Sequence, residues 1–135
     1  RTRPELHLDA ALDAASPAEW ASEIDQVQFP PTSVMTEMVF FHRASGTVLF
    51  TDLLQNLPPR WYSGWRSLVA RLDLMVEAEP TVPRKFRLAF RDRRAARAAV
   101  DQILAWPTRK VLMAHGTPVT EGAHALLGRA FSWLN

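Results

Sequence analysis

A chain of 135 residues that is 47% hydrophobic and carries a formal net charge of +2 has the size of one ordinary domain and enough apolar residues to build a core. It contains no Cys, which excludes disulfides, thiolate metal sites and a cysteine nucleophile together, and leaves His, Asp and Glu to carry any metal or acid/base chemistry. No apolar run approaches the roughly 20 residues that span a bilayer, and the N-terminus "RTRPELHLD" has no hydrophobic signal core, so a soluble, cytoplasmic protein with no membrane partner is expected.

In chain order, Ser16 before Pro17, with Glu19 in the first turn, has the form of a capping box and predicts a short turn of helix. A strand over "EIDQVQF" follows, and "PPTS" then breaks the chain. "EMVFFHR" and "TVLFTDLL" flank "ASG" and predict a hairpin in which Gly46 takes the positive φ of a tight turn. After the "PPRWY" break, "SGWRSLVARLDLMV" reads as a helix and "KFRLAF" as a strand. "RDRRAARAAVDQILAW" reads as a helix closed by Pro107, "KVLMAH" as a strand and "EGAHALLGRAFSWL" as a final helix. Strands alternating with helices predict an α/β layered fold, a single domain over 1–135.

The basic cluster "RKFRLAFRDRRAARAAV" is a solvated helix face. Arg93, Arg94 and Arg97 fall on the outer side, while Ala96, Ala99, Val100, Ile103 and Leu104 fall on the inner one. A net charge of +2 and the lack of a Gly-rich phosphate loop argue against a nucleic-acid partner.

The strands "MVFF", "TVLF" and "KVLMA" are apolar on both alternating faces, so their sheet is expected to be covered on both sides. Three substantial helices serve one face, and the sequence does not open on Met. The second cover is therefore expected from a second copy, a separate chain segment or an N-terminal half lying outside the 135 residues.

Two of these strands end on chemistry-bearing residues, Asp52 and His115. With "ASG" as the hairpin tip, paired residue numbers sum to 89 or 90, which sets Asp52 opposite Glu37 or Met38 at the open end of the ladder. His42 then lies beside the tip, roughly 16 Å from that end and too far to share an ion with Asp52. If "KVLMAH" runs parallel to "TVLFTD", His115 joins Asp52 at the carboxyl ends of the strands, where ligands of α/β sheets gather, and Gly116 lets the chain turn sharply after it. Ligands on either side of an ion or ion pair would place their polar atoms roughly 4–7 Å apart. Each residue also has a structural role open to it. Asp52 can cap "LLQNL", Glu37 can be a strand-entry charge, and His7 and His124 read as surface residues. Trp61, Tyr62 and Trp65 form an aromatic cluster that serves either as a lid over a pocket or as a core or interface anchor.

Taken together, "EMVFFHRASGTVLFTDLLQN", "ILAWPTRKVLMAHG" and "GRAFSWL" resemble the C-terminal half of an uncharacterised family related to the metallo-β-lactamase fold, over about Arg3 to Leu134. The resemblance implies half of an αββα sandwich, a mixed sheet with helices on its outer face. By it, Asp52 matches the Asp that bridges two metal ions and His115 the final His. The His that precedes the hairpin in such hydrolases is absent, since "FPPTSVMTE" offers Ser33, Thr36 and Glu37, and of these Glu37 is the candidate ligand. The implied activity is metal-assisted hydrolysis of an unspecified small molecule, with zinc or another divalent ion held by Asp52, His115 and Glu37 and completed from outside this chain. The alternative is a metal-free binding or interaction module that keeps the fold.

Overall fold

A computed structural model describes Leu12 and residues 15–135, so His7 lies outside the described residues. Strands β1 (Ile24–Gln28), β2 (Met38–His42), β3 (Thr47–Asn56) and β4 (Lys110–Gly116) form one mixed sheet in the order β1-β2-β3-β4. The first three run antiparallel to their neighbours, and β4 lies parallel to β3. A parallel neighbour requires a long crossover, and the stretch between β3 and β4 supplies it with α1 (Trp65–Leu72), α2 (Arg84–Ala89) and α3 (Arg93–Ala105). Helix α4 (Ala123–Ala130) and a 3₁₀ turn, Ser132–Leu134, close the chain. The fold is α/β.

The hairpin forms at the expected register, with Phe40 paired to Leu49 and His42 to Thr47, so that partners sum to 89. Gly46 at its tip has φ 63°, and a Cβ there would come within 2.6 Å of Arg109 Nε. The Gly46 carbonyl accepts from the Arg109 and Lys110 amides at 2.8 and 3.1 Å, which fastens the hairpin tip to the start of β4.

One face of the sheet carries the core. Val27, Phe29, Val39, Phe41, Val48, Phe50, Val111 and Met113 are buried there with Ala96, Ala99, Val100 and Ile103 of α3 and Leu127 and Ala130 of α4. Aromatic rings fill much of this layer: Phe29 lies 5.8 Å from Phe90 and 5.9 Å from Phe131, and Phe41 stacks on Trp106 at 5.2 Å. Arg93 and Arg94 stand exposed on the outer side of α3. Asp92 caps that helix by accepting from the Ala95 amide at 2.8 Å, and Trp106, held extended before Pro107, ends it. The opposite face of the sheet carries Ile24, Met38, Phe40 and Leu49, all half-buried, and the exposed Leu112.

Four local expectations are corrected. "KFRLAF" is helical, as α2. Pro83 at its N-cap has φ −55°, already suited to a helix start, and Asp73 Oδ1 accepts from the Lys85 amide at 2.7 Å. Phe86 and Phe90, four residues apart, both turn inward, whereas Leu88 between them is 85% exposed, which a strand alternation over Phe86, Leu88 and Phe90 would not allow. Ser16 forms no capping box, because its hydroxyl donates to the Ile24 carbonyl at 3.1 Å and residues 18–23 form turns. Helix α1 stops at Leu72, well before Val76, and Leu74 takes φ 62° just beyond it. The final helix divides at Phe131 into α4 and the 3₁₀ turn. No helix among the described residues is long and apolar enough to cross a membrane.

Candidate functional site

The site is built on a bulge. β3 and β4 pair regularly up to Phe50 and Met113 and resume at Gln55 and His115, so residues 51–54 of β3 stand against Ala114 alone. Such an insertion bends the strand and re-aims its side chains. Asp52 sits within it. Leu53 and Leu54 are fully buried and pin the bulge to the core, and Gln55 Nε2 donates to the Asp52 carbonyl at 2.8 Å.

The third fastening is Glu37, just ahead of β2 and 1% exposed. Its Oε1 accepts from the Thr51 amide at 2.7 Å, and its Oε2 accepts from the Thr51 hydroxyl at 2.7 Å and the Asp52 amide at 3.2 Å. A buried carboxylate without such donors would be strongly destabilising, and these three bonds offset its desolvation. Glu37 therefore orders the main chain that carries Asp52. Both its oxygens are engaged in that task.

His115 is the penultimate residue of β4, and its Nε2 lies 2.8 Å from Asp52 Oδ1. Asp52, in the bulge four residues before the end of β3, thus meets His115 near the carboxyl end of β4. They are in direct hydrogen-bond contact, closer than the expected separation across an ion. Both side chains are about half exposed. Gly116 lies within β4 itself; a Cβ there would strike Met113 Sδ at 2.6 Å and approach the Asn56 amide to 3.1 Å, so glycine serves close strand packing and not a turn. His42 bonds Ser45 at the hairpin tip, at 2.8 Å, and His124 is exposed on α4.

A cavity of about 340 Å³ opens on the pair, lined by Asp52, His115, Gln55, Trp61, Tyr62 and Lys85 among others. Trp61 and Tyr62 form part of its wall. Trp61 and Trp65 are 63% and 72% exposed, so neither is a core anchor. Gln55 and Lys85 had no signal in the sequence that tied them to this place. Lys85 reaches it because α2 starts beside Asp73, whose carboxylate lies 3.6 Å from the ammonium, and because that ammonium rests 4.9 Å from the centre of the Phe86 ring. Two other hollows, of about 390 and 480 Å³, share Glu79 and Arg129. The Arg129 guanidinium binds both Glu79 oxygens, at 2.9 and 3.0 Å, and holds the Glu79 carboxyl below the usual carboxylate range, so these charges serve each other.

Asp52 and His115 suit zinc or another divalent ion in donor chemistry and in spacing. Two donors at 2.0–2.2 Å from one ion lie about 3.0–3.5 Å apart, a few tenths of an ångström beyond the contact seen here. They do not suit it in number, since a catalytic zinc takes about three protein ligands and Glu37 is already engaged. Among the described residues, no three His, Asp or Glu side chains gather into a group able to hold a metal ion. Comparison with family models, with curated proteins and with solved structures finds no match to this chain.

Proposed function

We propose that this α/β chain is the C-terminal half of a metallo-β-lactamase-like sandwich, and that Asp52 and His115 are two donors of a centre for metal-assisted hydrolysis of a small molecule. The observation that supports this most is the 2.8 Å contact of the Asp52 side chain, on the bulge of β3, with His115 near the carboxyl end of the neighbouring parallel strand, beside a cavity of about 340 Å³. Ligands of α/β sheets collect at such strand ends. The ion, when bound, supplies an acidified water. The chain's own part is to fix the two donors, through the bulge, Glu37 and Gln55, and to wall the cavity with Trp61, Tyr62 and Lys85. The remaining donors come from outside the described residues, from the same segment or partner chain that covers Ile24, Phe40, Leu49 and Leu112 on the open sheet face.

A metal-free binding module is the second reading, and two observations favour it. Asp52 and His115 satisfy each other directly, and Glu37 spends both oxygens on the bulge. The experiment is zinc analysis of the 135-residue chain before and after extensive dialysis. Our reading expects zinc that binds weakly and washes out, with recovery of tight binding once the covering segment is supplied. A chain that never takes up zinc at Asp52 and His115, with or without that segment, would leave the metal-free module.

A further inference from the structure

Helix α1 is turned the wrong way for a helix that exists to close a core. Its apolar residues Trp65, Leu68, Val69 and Leu72 recur at the spacing of a single helical face, yet they are 72, 61, 49 and 61% exposed, and Ala70 alone in the helix is buried. Trp61, in the loop ahead of the helix, is exposed as well.

This stripe runs into the candidate site. A second hollow of about 210 Å³ is lined by Tyr62, Trp65, Arg66, Val69, Met75 and Lys85 among others. Tyr62, Met75 and Lys85 also line the cavity that holds Asp52 and His115. The two hollows therefore adjoin along a shared wall as the two halves of a trough, one polar at Asp52 and His115 and the other aromatic and aliphatic along α1. Its charges are arranged unevenly. Lys85 stands at the junction, and Arg66 lies at the far end with its guanidinium 5.8 Å from the Trp65 ring. Asp52 and Asp73 are the acids nearby, the first bonded to His115 and the second close to Lys85.

We propose that this trough binds a small amphiphile, an alkyl or aryl chain with an anionic head. The tail lies on Tyr62, Trp65, Val69 and Met75, and the head is held by the Lys85 ammonium beside His115. Of the charged residues that line the two hollows, Arg66 and Lys85 outnumber Asp52, which favours an anionic head over a cationic one. The link from binding to turnover rests on the hydrolytic reading above; binding itself does not.

The test is a titration of the ¹⁵N-labelled 135-residue chain with sodium decanoate below its micelle concentration, followed by amide shifts, with decyltrimethylammonium as the charge control and light scattering to report the oligomeric state. Saturable shifts at residues 61–75, Lys85 and His115 are expected, with the cation binding at least tenfold more weakly. Val69→Glu, at an exposed position, and Lys85→Gln are each expected to weaken decanoate binding at least tenfold, in proteins whose spectra remain those of the folded chain. Absence of saturation, equal binding of the cationic control, shifts confined to the open sheet face, or a dimer that Val69→Glu dissolves would each overturn the proposal. A zinc response at His115, recorded separately without amphiphile, keeps the two ideas apart. Decanoate binding without a zinc response removes the metal reading alone, and a zinc response without decanoate binding removes the trough alone.

Discussion

The Asp52 amide, in the bulge of β3, donates to Oε2 of Glu37, just ahead of β2, at 3.2 Å. The same carboxylate is 1% exposed and accepts from the Thr51 amide and hydroxyl as well, so both its oxygens are engaged in ordering the main chain that carries Asp52.

Replacement of Glu37 is the first consequence. Glu37→Ala removes the acceptor of the Thr51 amide, the Thr51 hydroxyl and the Asp52 amide and should cost about 1–3 kcal/mol of stability; Glu37→Gln, which keeps one acceptor, should cost about half that. Urea denaturation of the two variants checks the order.

A second expectation concerns acid. Arg43 grips Asp25 with its Nε 2.8 Å from Oδ2, and that hydrogen bond holds the Asp25 carboxyl below its ordinary value. A depressed carboxylate contributes stability at pH values above its unfolded pKa and loses that contribution as the pH falls through the folded one. Arg43→Ala should therefore be slightly less stable than the parent at neutral pH, the effect being small for so exposed a pair, with the gap closing as Asp25 is protonated. Thermal melts across the acid range provide the comparison.

The hairpin tip offers a third. Gly46 combines φ 63° with a space that a Cβ would have to share with Arg109 and the Pro107 carbonyl. Gly46→Ala should destabilise by about 1–2 kcal/mol through backbone strain and displacement of Arg109, without changing the α/β architecture. Chemical denaturation together with far-ultraviolet circular dichroism separates those two effects.

The fourth distinguishes a helical α2 from a strand. Leu88→Glu, at an 85% exposed position, should change stability by no more than about 0.5 kcal/mol, whereas Phe86→Ala, at a buried one, should cost about 3 kcal/mol. Comparable costs at the two positions would contradict the helix.

Much of this arrangement was legible from residue order. Gly46 and the flanking apolar runs set the hairpin and its register, and that register put Asp52 near Glu37 or Met38, of which Glu37 is the one that accepts from the Asp52 amide. Two apolar runs leading to Asp52 and His115, joined by a helical crossover, pointed to those residues meeting, although β3 continues to Asn56 and it is the bulge that brings Asp52 to His115. Other features depend on contacts that no local pattern carries. "KFRLAF" alternates like a strand, and its helix is decided by Pro83 ahead of it and by Asp73, distant in sequence, at its first turn. The bulge at 51–54 is fixed by Glu37, just ahead of the neighbouring strand, and by burial of Leu53 and Leu54, so periodicity within β3 could not reveal it. Lys85 and Gln55 join the cavity only through the packing of α2 and the bulge. Trp61 and Trp65, read as either lid or anchor, are exposed, and Trp61 edges the cavity.

The most direct test of Asp52 and His115 as metal donors is a zinc titration of the 135-residue chain, read from the side-chain resonances of its histidines. We expect the His115 ring to respond reversibly and ahead of His42 and His124, and the response to disappear in Asp52→Asn while the fold is kept. A His115 ring that stays silent while the other histidines shift, or a response unchanged in Asp52→Asn, would contradict the pairing of these two residues around an ion.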